Sequence, residues 1–145
     1  MLSVFLGGTC GNSTWRDELV KMLDDKICCF NPLVRDWTEK HQKIEDEHKE
    51  KDDVFLFVVT PETDNAYTIC EVTASSISRP ESTIVCVMDD VNGQKFDKHE
   101  LNAWKKIVSN LKMLHRAFIC KDLKAVAKEI NRRAIKKAEI EEALC

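Results

Sequence analysis

The run Val54 to Val59, VFLFVV, is apolar at every position. A half-solvated strand alternates apolar and polar side chains, so a continuous run of this length fits a strand covered on both faces. Thr83 to Met88, TIVCVM, has nearly the same character. Between the two lies a turn at Thr60-Pro61, a polar loop, and a helical pattern from about Ala66 to Ile77. Buried strands separated by helices call for a parallel sheet flanked on both sides.

The rest of the chain extends that alternation. Leu2 to Leu6 reads as the first strand, and Gly7 to Asn12 as the loop after it. Ser13 or Thr14 can cap a helix to about Asp24, with Trp15, Leu19, Met22 and Leu23 at helical spacing. Ile27 to Phe30 is a short second strand, ended by Asn31-Pro32. A highly charged helix is predicted from about Thr38 to Glu50; Ile44 is almost its only aliphatic residue, so it should lie largely exposed. After the fourth strand, Asp89 to Lys95 reads as a loop containing Asn92-Gly93. A helix from about Asp97 to Lys112, a fifth strand from Arg116 to Cys120, and a helix capped by Asp122 and running to about Ala143 complete the pattern.

The fold class expected is α/β: a doubly wound five-stranded parallel sheet in the flavodoxin-like order 2-1-3-4-5, with helices on both faces. Crossovers should be right-handed. The chain reads as one domain over residues 1–145, a length that supports a sizeable core. In this order the switch point falls between the first and third strands, where ligands of such sheets bind.

Composition excludes some functions. Lys and Arg total 22 against 25 Asp and Glu, a net charge of −3, which favours neither nucleic acid nor membrane surfaces. The last helix is rich in Lys and Arg but has no interleaved aromatics, so a nucleic-acid face is not expected. The start, MLSVFLGG, reads as a strand rather than a signal peptide, and no apolar run approaches the roughly 20 residues of a membrane span. Seven cysteines form no CxxC pair and no zinc-like spacing with the four histidines, so neither metal nor cofactor is expected. Free thiols in that number suit a cytoplasmic protein.

The candidate chemistry gathers after the first three strands. Gly7-Gly8 either lets a ligand approach the backbone or only makes a tight strand-to-helix turn; it matches neither GxGxxG nor a P-loop. Glu71 and Tyr67 stand four residues apart on one helix, so they share a face. An ionised carboxylate there can act as a nucleophile, although most helix carboxylates are merely solvated. Asp36-Trp37 sets a carboxylate beside an aromatic, which suits a base or sugar site and equally suits a loop anchor.

FLGGTCGNSTWRDEL, FNPLVRDWT and VFLFVVTPETDNAYTICEVTASS follow the first three strands in order. Together they resemble the nucleoside 2-deoxyribosyltransferase-like family over about residues 2 to 90. The resemblance implies the doubly wound fold and a small-molecule nucleoside or nucleotide as partner. It implies cleavage or transfer at the N-glycosidic bond, with Glu71 as nucleophile and a second carboxyl, Asp36 or else Glu45, supplying the proton. Gly7, Gly8, Thr9, Trp37, Glu45, Asn65 and Tyr67 would line the substrate site. Family members often share sites across subunits, which implies a homo-oligomer. Two positions depart from the pattern. Classical transferases hold their glutamate with a first-strand tyrosine hydroxyl, where this chain has Phe5. Asn65 stands where they often carry an acid. A binding or sensor domain of the same fold, without turnover, is the competing expectation.

Overall fold

A computed structural model describes residues 1–145. Five strands form one parallel sheet: β1 (Leu2–Gly8), β2 (Ile27–Phe30), β3 (Val54–Val59), β4 (Thr83–Val87) and, after a small hairpin, β7 (Phe118–Cys120). Their order is β2-β1-β3-β4-β7, the expected 2-1-3-4-5 when only the sheet strands are counted. Register is set by pairs such as Val4 with Val54, Leu56 with Ile84, and Ile84 with Phe118.

Alternation along the buried strands sorts two apolar layers. Val4, Leu6, Leu56, Val58, Ile84 and Cys86 point to one face. There they meet Trp15 and Leu19 of α1 (Trp15–Val20) and Leu123, Val126 and Ile130 of α5 (Leu123–Ala143). Phe5, Phe55, Phe57 and Val85 point to the other. They meet Val72 of α3 (Ala66–Ser78) and Val108 and Leu111 of α4 (Lys98–Met113). Both faces of β3 are therefore covered, which is why its sequence never alternates with polar residues.

The charged α2 (Glu39–Lys51) buries no residue completely, as its composition led us to expect. It is held by polar and stacking contacts instead. The His48 ring stacks on Phe30 with centroids 3.7 Å apart, and Arg79 Nη1 donates to the Glu50 carbonyl at 3.1 Å.

Four local expectations are corrected. The first strand runs to Gly8 rather than Leu6, because Gly7 and Gly8 pair with Phe57 and Val58 of β3 instead of starting the loop. The first helix stops at Val20 rather than near Asp24. Met22 and Leu23 bond back three residues to Leu19 and Val20, tightening the end. Asn131 of α5 then takes up the chain, donating to the Met22 carbonyl and accepting from the Asp24 amide. The last sheet strand starts at Phe118, because His115 is left-handed (φ 53°) and Arg116 N–H closes the end of α4 on Leu111 O. Asp89 to Lys95 contains a two-stranded hairpin, β5 (Asp90–Val91) with β6 (Gln94–Lys95). Asn92 and Gly93 at φ 53° and 82° supply the two positive angles that such a turn demands. Gln94 Nε2 donates to Pro61 O at 3.1 Å, so the hairpin rests on the loop after β3.

Candidate active site

β1 and β3 lie side by side, and their following helices leave to opposite faces of the sheet. The split opens a cavity of about 650 Å³ at their carboxyl ends. Its wall includes Gly7 and Gly8 of β1, Arg35 and Trp37 from the loop after β2, Glu45 of α2, and Tyr67 and Glu71 of α3.

The two glycines are needed first by the sheet. A Cβ on Gly8 (φ +112°) would lie 2.0 Å from the Val58 carbonyl oxygen, and one on Gly7 would lie 2.7 Å from the Phe57 ring. The same bare backbone then forms one wall of the cavity.

Glu71 is the centre of the site. Its side chain is only 11 % exposed, and Oε2 lies 2.9 Å from Lys49 Nζ. The same ammonium lies 2.7 Å from Glu45 Oε1. Two carboxylates thus share one cation, each at ion-pair distance. Burial pushes the Glu71 carboxyl above its usual range; Lys49 pulls it down, Glu45 pushes it up again, and Arg16 pulls it down. Burial works against the Lys49 charge too, but its two carboxylate partners outweigh it and hold the ammonium well above the ordinary lysine range.

Tyr67 is exposed at the rim, and its phenol oxygen lies 3.5 Å from Lys49 Nζ. Phe5 is fully buried, and the same ammonium sits 5.5 Å from its ring centre.

Of the residues expected at the site, Gly7, Gly8, Trp37, Glu45, Tyr67 and Glu71 line the cavity; Thr9, Asp36 and Asn65 do not. Asp36 is exposed in the loop after β2. Thr9 and Asn65 are buried and join the loops after β1 and β3. Thr9 Oγ1 accepts from the Thr60 amide at 2.8 Å and donates to Asn65 Oδ1 at 2.7 Å. Asn65 Nδ2 donates to the carbonyls of Thr60 and Thr63, each at 2.9 Å. An acid here would lack those two donors, which accounts physically for the amide at this position.

Arg16 braces the loop after β1 rather than facing a ligand freely. Its guanidinium donates to the carbonyls of Leu6 at 3.1 Å and Thr9 at 2.7 Å, and packs 4.3 Å from the Trp15 ring centre. Sequence reasoning missed Lys49. The one available signal was its place four residues after Glu45 on a charged helix.

The family model described as "Nucleoside 2-deoxyribosyltransferase like" matches residues 1–91, more than half of the 145. The chain belongs to that family. This nucleoside 2-deoxyribosyltransferase-like protein keeps every cavity-lining residue named above within the matched segment. Membership implies nucleoside binding and a transferase-like function. No curated protein matches the chain. No helix is long and apolar enough to cross a membrane.

Proposed function

We propose that this protein cleaves or transfers at the N-glycosidic bond of a deoxynucleoside or deoxynucleotide, with Glu71 as nucleophile. The observation that carries the reading is the placement of Glu71: a largely buried carboxylate in the switch-point cavity, sharing a cation with a second carboxylate. A Glu71 oxygen bonds to the anomeric carbon as the glycosidic C–N bond breaks, and that bond's electron pair leaves with the base. The base nitrogen takes up a proton. Asp36 is exposed and lies outside the cavity wall, and Glu45 is the counter-ion of Lys49, so solvent in the open cavity supplies that proton. Water or an acceptor base then attacks the anomeric carbon and releases its proton to solvent, the ester bond breaks, and its electron pair restores the Glu71 carboxylate.

The test is incubation with a panel of deoxynucleosides and deoxynucleotides, with and without a free acceptor base, followed by chromatography. Free base without acceptor identifies a hydrolase, and an exchanged nucleoside identifies a transferase. Glu71→Gln should lower kcat by about a thousandfold or more while ligand still binds. Normal turnover by that variant would remove Glu71 from the mechanism. Binding by wild type with no product from any substrate would leave a ligand-holding domain. The family resemblance further implies a homo-oligomer, which sedimentation would reveal.

A further inference from the structure

We propose that Lys49 is a positioning residue for Glu71: it fixes one carboxylate oxygen, leaves the other to attack, and uses Glu45 as a standing counter-ion. The proposal rests on the reading of Glu71 as nucleophile.

The geometry assigns each group a part. Glu71 Oε2 is the oxygen on the ammonium, at 2.9 Å. No other side chain of the protein pairs with this carboxylate, and no buried side-chain oxygen is left without a partner, so Oε1 stays accessible. A carboxylate held by one oxygen has its rotation restricted and presents the other, which is what a nucleophile in a near-attack geometry requires. The first strand cannot do this work, because Phe5 has no hydroxyl. The ammonium lies beside that ring and takes over the role.

Glu45 explains why one cation can serve the whole cycle. When Glu71 becomes an ester it loses its charge. Lys49 is half-buried and would then be an uncompensated cation. Its 2.7 Å contact with Glu45 keeps it neutralised and in place until the ester breaks. Glu45 and Lys49 stand at i and i+4 on α2, so one rigid element carries both.

The titratable groups that line the cavity with Glu71 or act on its charge are Arg16 from α1, Cys10 from the loop after β1, Arg35 from the loop after β2, Glu45 and Lys49 from α2, Asp64 from the loop after β3, and Tyr67 from its own helix. Lys49 and Arg16 favour the charged carboxylate, whereas burial and Glu45 disfavour it. Loss of Lys49 must therefore raise the pH at which Glu71 ionises, and loss of the Glu45 charge must lower it.

The experiment follows the Glu71 carboxyl by carbon-13 NMR titration in wild type, Lys49→Met, Lys49→Arg and Glu45→Gln, with Glu71→Gln to assign the signal. Thermal melts confirm that each variant folds. In parallel, kcat and KM are measured against pH on whichever substrate the panel identifies. The expected result is a Glu71 titration displaced upward in Lys49→Met, downward in Glu45→Gln, and close to wild type in Lys49→Arg. Lys49→Met should lose about 10- to 100-fold in kcat with little change in KM, the size of one charge-assisted contact. Its acid limb should move to higher pH, and Lys49→Arg should recover most of both. An unchanged Glu71 titration in Lys49→Met would overturn the proposal, even if the melting temperature fell. Should that variant not fold, Glu45→Gln decides alone, and an unchanged or upward titration there overturns it. If wild type turns over no substrate, the nucleophile reading fails, and the NMR arm still decides whether Lys49 holds Glu71.

Discussion

At the scale of single residues, Asn65 shows how a departure from a family pattern can have a structural cause. Its amide donates to two carbonyls and its oxygen accepts from Thr9. Aspartate is a good residue at a helix start, so rules of local propensity make Asn65→Asp harmless. The structure predicts otherwise. The carboxylate would be 97 % buried if it kept the position of Asn65, which is 3 % exposed, and it would face two carbonyl oxygens without donors. The expected cost is at least about 2 kcal/mol at neutral pH, from two unmade hydrogen bonds and a buried charge. Burial and the facing carbonyls raise the carboxyl's folded pKa above its unfolded value. A group shifted that way destabilises the fold more as pH rises, and protonation restores one donor. Urea unfolding of Asn65→Asp at pH 4 and at pH 7 should show the larger loss at pH 7. Equal stability to wild type at both values would mean that the amide is dispensable.

At the scale of elements, polar contacts can set how a helix sits where it brings little apolar area. α2 is the clearest case, with Lys49 and His48 aimed inward and no fully buried residue. A hydrophobic pattern reveals which face of a helix turns to the core, but a face chosen by ion pairs leaves little such signal. That is why the charged helix was legible as an exposed element, whereas Lys49 as part of the site was not. α5 adds a second polar anchor. Glu129 accepts from Arg132 and Arg133 at 2.7–2.8 Å, and Arg133 also donates to the Glu81 carbonyl at 2.8 Å, tying α5 to the turn before β4. Burial pushes the Glu129 carboxyl up, but the two arginines outweigh it and hold it below its ordinary 4.5. A depressed folded pKa stabilises fully above the unfolded value and is lost as pH falls through the folded one. Wild type should therefore exceed Glu129→Gln in melting temperature at neutral pH, and the gap should close below about pH 4.5. A gap that stayed constant down to pH 3 would assign the effect to packing instead of charge.

At the scale of the whole molecule, what the sequence made legible and what it hid divide along a physical line. The two-layer cover followed from continuous apolar runs such as VFLFVV, because burial on both faces leaves its mark residue by residue, and the strand order followed from five alternating strand–helix units. Cavity-lining residues were legible where they end the first strand or lie on the helix after β3, as with Gly7, Gly8 and Glu71. Thr9 and Asn65 join loops 56 residues apart in sequence, and nothing local announces a bond of that kind. The family match ends at residue 91, yet the sheet does not. β4 pairs on its outer side with β7, and α5 covers one face of β1 and β4. Leu123, Val126 and Ile130 bring apolar side chains onto Val4, Leu6, Ile84 and Cys86. Burying each of the three is worth about 1.5–3 kcal/mol, so together they rival the 5–15 kcal/mol that keeps an ordinary domain folded. A chain cut after residue 91 would lose them, expose the β4 edge that pairs with β7, and remove α4 and α5 from the two apolar layers. We therefore expect the 1–91 fragment to show no cooperative thermal transition by circular dichroism, although every residue named in the cavity wall is present. The full chain should melt in a single step. A cooperative melt of the fragment would mean that the matched segment is a folding unit by itself and that β7 and α5 are additions to it.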